Sequence, residues 1–212
     1  MKFRNLFLMA FAAVSSFAVA QDAKEPEAIY ACKSGIVTME MDMMGNKIVT
    51  QTYFDDFGRK TATVNDFGGM KSRSIVINGE TIMVNDEQKT ATKFPAGMGG
   101  FGGNRNSVNF TKLTKEVMDA NKIKEVGKEK IADKECTVYE MEVAGMMGGT
   151  QKTKVWIYKG ITLKSSTESD FGTMEQVCSK FEENVEIQAS MFTLPEGVEP
   201  QEMDMNMFGG GF

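Results

Sequence analysis

The stretch SGIVTMEMDMMGNKIVTQTYF, residues 34–54, decides the fold of this chain. Its apolar residues recur at every second position, which is the period of a β-strand with one buried face. Residues 44–46, Met-Gly-Asn, are typical of a turn, and residues 47–54 then return as a second strand. The stretch therefore predicts a β-hairpin whose first strand carries apolar side chains on one face: Val37, Met39, Met41 and Met43.

The same alternation continues along the chain and predicts a mainly β protein, an antiparallel meander with one short helix. Asn78-Gly79 is a strong signal for a two-residue hairpin turn. Helical spacing appears at residues 112–121, where Leu113, Val117 and Ala120 share a face. Further strands are expected at residues 60–64, 74–77, 81–84, 123–131, 136–143, 153–158, 161–168, 173–181 and 192–194.

Residues 1–20 have the features of a secretory signal peptide. Lys2 and Arg4 precede an apolar run that ends on Ala18-Val19-Ala20, an A-x-A cleavage site. No later apolar run approaches the roughly 18 residues that a transmembrane helix needs. We therefore expect an exported protein, in the periplasm or outside the cell, with no transmembrane segment.

Composition excludes several classes of function. The net charge of −5 becomes more negative once the signal peptide is removed, and no long basic stripe follows, so nucleic acid is not expected as a partner. The chain contains no His, which excludes Ser-His and Cys-His catalysis and His-containing zinc sites. The paired carboxylates Asp55-Asp56 and Glu182-Glu183 are not expected to converge, since neighbours on a strand point to opposite faces. We therefore expect no enzyme activity and no cofactor.

Two patterns imitate nucleotide-binding motifs. The tripeptide Asp-Phe-Gly, which holds magnesium in protein kinases, occurs at residues 56–58, 66–68 and 170–172. All three copies fall between predicted strands, where Asp and Gly favour turns. Residues 97–102, GMGGFG, match G-x-G-x-x-G, but no βαβ unit surrounds them, so we interpret residues 95–106 as a Gly-rich loop.

Three cysteines, Cys32, Cys136 and Cys178, allow at most one disulfide. The predicted strands of Cys136 and Cys178 lie three steps apart in the meander. At about 4.8 Å per step the two thiols are roughly 14 Å apart, too far for a disulfide unless the sheet curls strongly. Cys32 could meet either of them, so the sequence leaves the pairing open.

Methionine is unusually frequent, with 18 residues. On a strand, alternate Met side chains line one plastic apolar face. In the tail, residues 203–207, MDMNM, have no structural period, and thioether sulfurs bind Cu(I). One alternative function is therefore an envelope Cu(I)-binding protein with the ligands Met203, Met205 and Met207. A structural envelope protein with no ligand is another.

Three features follow one another along the predicted meander. The first is the Asn78-Gly79 turn with a strand ending on Asn85-Asp86, and the second is the Trp156 strand followed by GITLK at residues 160–164. The third is the sequence FTLPEG at residues 192–197. In this order they resemble the periplasmic lipoprotein-sorting proteins of the LolA/LolB-like superfamily, in a branch common in Bacteroidetes-type bacteria. The resemblance implies a curved antiparallel sheet that forms an open half-barrel.

The resemblance also implies a function. Proteins of this kind hold a hydrophobic ligand, a lipid or a lipidated chain, in the concave face of the half-barrel without catalysis. The implied partners are a hydrophobic small molecule or acyl chain, and an envelope lipoprotein. An apolar, Met-rich face suits such varied chains. The expected ligand-binding wall consists of Val37, Met39, Met41, Ile75, Ile77, Met83, Tyr139, Met141 and Trp156.

The expected organisation has four parts. A signal peptide at residues 1–20 precedes an N-terminal linker at residues 21–29. The LolA-like half-barrel domain follows at residues 30–199 and includes the Gly-rich loop. A flexible tail rich in Met, Gly and Phe ends the chain at residues 200–212.

Overall fold

The structure is a computed structural model, and it describes residues 27–43, 45–67, 69–77, 80–94, 108–144, 150–169 and 172–203. The predicted signal peptide, most of the predicted linker, the Gly-rich loop and most of the predicted tail lie outside these residues. The Asn78-Gly79 turn also lies outside them.

The described residues form one curved sheet of twelve strands that is not closed into a barrel, so the predicted fold class is confirmed. The strands, in chain order, are β1 (Gly35–Met43), β2 (Asn46–Asp55), β3 (Lys60–Phe67), β4 (Met70–Ile77), β5 (Glu80–Asn85), β6 (Thr90–Phe94), β7 (Lys124–Ile131), β8 (Lys134–Ala144), β9 (Thr150–Tyr158), β10 (Ile161–Ser169), β11 (Gly172–Glu183) and β12 (Gln201–Glu202). Their order across the sheet is β12-β6-β5-β4-β3-β2-β1-β11-β10-β9-β8-β7.

The hairpin predicted from residues 34–54 is present. Strands β1 and β2 pair antiparallel with Val37 opposite Thr52, and pairing continues from β2 to β6 without a register shift. The Asp-Phe-Gly copy at Asp56–Gly58 forms the 3-10 turn between β2 and β3, as expected. Phe57 and Gly58 both have positive φ there, 57° and 82°. The other two copies were also expected between strands, but Asp66 and Phe67 are the last residues of β3 and Gly172 is the first residue of β11. Gly68, Asp170 and Phe171 lie outside the described residues.

The one α-helix among the described residues is shorter than predicted. Helix α1 covers Lys115–Ala120, and the Thr114 side chain caps it by accepting a 3.3 Å hydrogen bond from the Val117 N–H. Residues Phe110–Lys112 form a separate 3-10 turn, because Leu113 is extended (ψ 94°) and interrupts the helical backbone. A capping side chain of this kind fixes where a helix begins.

The strand predicted at residues 192–194 is wrong. Residues Ala189–Phe192 form a 3-10 turn, and buried Phe192 packs against the sheet face instead of pairing with a strand. The last strand is β12, which pairs parallel with β6 inside the segment expected to be a flexible tail. Sequence analysis also missed β6, whose five residues give a short alternating signal.

Buried side chains form three clusters. The first brings Val37, Met39 and Phe54 together with Cys32, which precedes β1, and with residues of the other half of the sheet: Ile131, Cys136, Val138, Trp156, Ile161, Leu163 and Cys178. The second consists of Ala62, Ile75, Ile82, Val84, Ala91 and Phe192, with the C-terminal residues Ile187, Met191, Leu194 and Val198 packed on it. The third consists of Ile123, Met141, Val155 and Ile157 beneath Val108, Phe110, Leu113 and Met118.

The three cysteines are free thiols in the first cluster, all of them buried. Strand order places Cys178 of β11 three strands from Cys136 of β8, as the sequence predicted. Cys32 precedes β1 and joins the same cluster. Burial raises the pKa of each thiol above its ordinary value of 9.0.

Candidate functional site

One face of strands β1 to β6 carries several of the residues predicted to bind a ligand. Strand pairing without register shifts puts Val37 in one row with Thr52, Thr63, Ser74, Met83 and Thr92. Met39 and Met41 alternate onto the same face as Val37. We call this surface the threonine face. Hydroxyl groups dominate it, with hydrogen bonds from Thr50 to Asn65 (2.9 Å) and between Thr52 and Thr63 (3.3 Å).

The remaining predicted residues lie elsewhere. Ile75 is on the opposite face of β4, buried in the second cluster beneath the C-terminal segment. Trp156 is in the first cluster, whereas Met141 and Tyr139 belong to the third. The side chain of Ile77 lies outside the described residues. The nine predicted residues are therefore divided among separate parts of the sheet, and their role in ligand binding stays a prediction.

The Trp156 side chain is held by charged neighbours. Its indole N–H donates a 2.6 Å hydrogen bond to Glu129 of β7. The Lys164 ammonium lies 4.8 Å from the centroid of its ring, a cation–π contact. The Trp156 ring is 7% exposed, so these contacts satisfy the polar edge of a buried aromatic side chain.

A cavity of about 650 Å³ lies beside helix α1, at the ends of the strands that carry the third cluster. It is open to solvent on one side. The helix and the residues after it contribute Met118, Asp119, Lys122 and Ile123. The sheet contributes Lys124, Glu140, Met141, Glu142, Lys152, Thr153, Lys154, Ser166 and Glu168.

The lining of this cavity differs from the apolar wall that the sequence predicted. Of the nine predicted residues only Met141 lines it, next to the apolar side chains of Met118 and Ile123. The rest of the lining is largely charged, with four lysines and four acidic residues. An apolar patch surrounded by charged groups suits a ligand that has both an apolar and a polar part.

Ion pairs organise the charged groups. Lys122 donates a 2.6 Å hydrogen bond to Glu142, and Lys154 lies 3.1 Å from Glu140. The Lys122 hydrogen bond and charge, together with the charges of Lys152 and Lys124, hold the pKa of the Glu142 carboxyl below its ordinary value. Glu142 is therefore an anion at neutral pH, surrounded by three ammonium groups.

Sequence analysis missed these residues, although a signal was present. In β8 and β9 the charged residues alternate with apolar ones, Glu140 and Glu142 on one strand and Lys152 and Lys154 on the other. Cross-strand partners are Glu140 with Lys154 and Glu142 with Lys152. Such alternation identifies a charged row, but it does not show that α1 closes one side of it.

The alternative metal ligands are only partly described. Met203 is half-buried, and its backbone N–H donates a 3.0 Å hydrogen bond to the carbonyl of Lys93. Met205 and Met207 lie outside the described residues, so the Cu(I) site stays a prediction. Within the described ranges no three His, Cys, Asp or Glu side chains come together as a metal-binding group. Among the same residues, no helix has the length and apolar character needed to cross a membrane.

Comparison with known proteins gives structural similarity but no sequence relatives. No family model matches the chain, and no curated protein matches it. A solved structure of an uncharacterized conserved protein from Thermus thermophilus is similar with a TM-score of 0.51 and 7% sequence identity, covering 82% of this chain and 92% of that one. At this identity the similarity shows the fold alone.

Other similar structures are more distant. MucB in the Pseudomonas aeruginosa MucA/MucB complex has a TM-score of 0.49 and 11% identity, and the match covers 79% of this chain but only 57% of that one. A domain from Vibrio parahaemolyticus, described as a putative outer membrane lipoprotein-sorting protein domain, has a TM-score of 0.35 and 14% identity, with 76% and 89% of the two chains covered. The similar structures thus include lipoprotein-sorting types, at distant identity.

Proposed function

We propose that this chain is an exported, non-enzymatic binding protein that holds a hydrophobic ligand, a lipid or a lipidated chain, in its half-barrel. The observation that carries the proposal is the cavity of about 650 Å³ beside α1. Ligand sites in proteins are typically concave and of about 300–1,000 Å³, so the cavity has a suitable size. The proposal includes the predicted signal peptide, the half-barrel domain at residues 30–199 and export to the periplasm or beyond.

The apolar part of the cavity gives a reason for affinity. Met118, Ile123 and Met141 form the apolar part of its lining, with Ile123 and Met141 buried in the third cluster and Met118 half-buried above them. Each methylene group removed from water contributes about 0.8 kcal/mol. Methionine side chains are flexible and polarisable, so they adapt to chains of different shape. Binding of this kind needs no catalytic group and no cofactor.

The threonine face is the second surface in this proposal. Its predicted residues Val37, Met39, Met41 and Met83 lie on one side of the sheet. Val37 and Met39 are buried in the first cluster, whereas Met41 and Met83 are half-buried. Two rows of hydroxyl groups and scattered Met side chains make it less apolar than a protein core. We propose it as the continuation of the binding surface for a ligand longer than the cavity.

Two measurements test the proposal. Lipid extraction and mass spectrometry of the protein purified from its host without detergent should reveal a co-purifying lipid. The purified protein should also increase the fluorescence of N-phenyl-1-naphthylamine, a neutral apolar probe.

A matched pair of variants locates the site. Met118→Glu places a charge in the apolar part of the cavity and should weaken probe binding about tenfold, since the buried methylene contacts are lost. Met174→Glu makes the same change at a Met that is 41% exposed and outside the cavity lining, and should leave binding unchanged. Thermal unfolding of both variants verifies that they fold. A protein that is free of lipid and does not bind the probe contradicts the proposal.

A further inference from the structure

Some charged side chains of the cavity lining form ion pairs, and others have no oppositely charged partner at contact distance. Lys122 pairs with Glu142, and Lys154 pairs with Glu140. Asp119 pairs at 2.8 Å with Lys115, which lies outside the lining. Once these pairs are set aside, the lining retains two lysines, Lys124 and Lys152, and one acid, Glu168.

Lys124 and Lys152 are held near each other by the sheet. Lys124 is opposite Glu140 in the pairing of β7 with β8, and Lys152 is opposite Glu142 in the pairing of β8 with β9. Both side chains are exposed, Lys124 on β7 and Lys152 on β9. Within the described ranges neither ammonium group has a hydrogen-bond or ion-pair partner at contact distance, although both charges act on the Glu142 carboxylate of β8 between them. The two unpaired ammonium groups therefore lie on either side of β8, at the edge of the cavity.

The charge of the lining differs from that of the whole protein. The chain has a net charge of −5, whereas the lining carries four lysines and four acidic residues, and its groups without a contact-distance partner amount to one net positive charge. A cavity that attracts anions within an acidic protein favours a negatively charged ligand over a neutral or positive one. Its apolar side, Met118, Ile123 and Met141, requires that the same ligand carry an apolar chain.

We propose that the cavity binds an anionic amphiphile, with a carboxylate or phosphate head between Lys124 and Lys152. The first carbons of its chain lie against Met118 and Met141. This inference rests on the proposed function and narrows its ligand class from any hydrophobic molecule to amphiphiles with an acidic head. The charges of Glu168 and of the β8 carboxylates Glu140 and Glu142, which lie opposite Lys124 and Lys152, oppose the head and limit its affinity.

The experiment measures displacement of N-phenyl-1-naphthylamine from the full chain by four amphiphiles of equal chain length, each below its micelle concentration. Dodecanoate and dodecyl phosphate carry anionic heads, dodecanol is neutral, and dodecyltrimethylammonium is cationic. Because an exposed ion pair adds only modestly to affinity, the anions should displace the probe at roughly three- to tenfold lower concentration than dodecanol. Dodecyltrimethylammonium should require a higher concentration than dodecanol to displace the probe. About 0.5 M salt should reduce these differences between the amphiphiles.

Three variants locate the head. Lys124→Gln/Lys152→Gln should remove the preference for the anions, so that dodecanoate and dodecyl phosphate displace the probe at the same concentration as dodecanol does in that variant. Lys128→Gln/Lys130→Gln removes the same charge from β7 at residues outside the lining, and should keep the preference. Glu168→Gln should strengthen binding of the anions only. These expectations compare ligands within each variant, so a general loss of stability does not imitate them.

The outcomes separate this inference from the proposed function. If the probe binds but all four amphiphiles displace it equally, or if the first double variant keeps the preference, the head-group inference is wrong and the proposed function stands. If dodecanoate and dodecyl phosphate both displace the probe at lower concentrations than dodecanol, but at concentrations that differ from each other, the inference holds. The one that displaces the probe at the lower concentration then identifies the preferred head group. If neither the probe nor any amphiphile binds, both proposals are wrong.

Discussion

Arg73 and Asp86 form a bidentate ion pair in which the guanidinium donates two hydrogen bonds, of 2.9 Å and 2.6 Å, to the two carboxylate oxygens. The same guanidinium donates to the carbonyls of Met191 (2.9 Å) and Thr193 (3.1 Å). Arg73 thus joins β4, the turn after β5 and the C-terminal segment that covers the second cluster. Its side chain is 11% exposed, whereas the Asp86 side chain is 54% exposed, so the guanidinium is largely covered but the ion pair borders on solvent.

Replacing Arg73 by Met is expected to destabilise the protein. The substitution removes the charged donor and leaves the carbonyls of the C-terminal segment without a partner, at a cost of about 2–4 kcal/mol. Lys71→Met removes an equal charge from an exposed position of the same strand and should cost less than about 0.5 kcal/mol. Urea unfolding measures both changes. Equal stability of the two variants would contradict the role assigned to Arg73.

Gly160 is expected to tolerate no side chain. It has φ of +84°, and an added Cβ would lie 2.5 Å from the Ile29 carbonyl oxygen and 2.6 Å from a Thr111 methyl carbon. Gly45 has nearly the same φ, +81°, with no atom within 4 Å of an added Cβ. Both Ala variants bear the backbone strain, so thermal or urea unfolding should show Gly160→Ala less stable than Gly45→Ala by about 1–3 kcal/mol. If Gly160→Ala lowers the free energy of unfolding no more than Gly45→Ala does, residues 29 and 111 can move aside to accommodate the Cβ.

Glu183 is expected to make the stability of the folded protein depend on pH in the acidic range. Its carboxylate accepts hydrogen bonds from Lys159, from the Tyr158 hydroxyl (3.2 Å) and from Lys134 (3.4 Å), with 14% of the side chain exposed. Burial raises the pKa of this carboxyl, but its three donors outweigh burial and hold the pKa below the ordinary value of 4.5. The stabilisation is therefore complete above pH 4.5 and is lost as pH falls through the lowered pKa.

Glu183→Gln tests this dependence. At pH 7 it should lower the free energy of unfolding by about 1–3 kcal/mol. Below about pH 4.5 the difference from the unsubstituted protein should shrink, because Glu183 itself becomes protonated there. The neighbouring Glu182→Gln, whose carboxylate pairs with Lys180 at 2.9 Å and is 37% exposed, is the control and should have little effect. A Glu183 difference that stays constant with pH would exclude the ion pairs as its cause.

The three thiols are expected to be unreactive in the folded protein. Cys32, Cys136 and Cys178 are 4%, 0% and 5% exposed, and their raised pKa values disfavour the reactive thiolate at about pH 8. Reaction with a thiol reagent should be slow in native buffer and should reach all three cysteines in urea without a reductant. Modification of a single cysteine in urea would indicate that the other two form a disulfide.

The first half of the sheet could be predicted because its rules are local. In residues 34–54 the alternation of Val37, Met39 and Met41 with polar residues has a period of two, which a helix cannot bury on one side. The turn at Asp56–Gly58 has positive φ at all three residues, and Asp56 and Gly58 are of types that accept it readily, whereas Phe57 is not. Residues 192–194 were mispredicted because buried Phe192 gives the same apolar signal beneath a 3-10 turn as it would in a strand.

The binding wall could be predicted only in part. Alternation identifies Ile75, Met141 and Trp156 as apolar positions, but each belongs to a different buried cluster. A pattern of period two assigns residues to alternate faces of their own strand and says nothing of which segment covers each face. The C-terminal segment covers Ile75, and residues 108–118 cover Met141, through contacts between positions far apart in the chain.

The amino-acid sequence by itself determined most of the strands, the first hairpin and the mainly β class of this protein, because backbone alternation and turn chemistry act over a few residues. Tertiary structure alone decided the cavity beside α1, where Met118, Met141, Lys152 and Glu168 come from four separate elements. It also decided which lysines remain unpaired, since the ion pairs of Glu140 and Glu142 depend on strand register and on the position of Lys122. Such contacts depend on the curvature of the whole sheet, which no short stretch of sequence encodes.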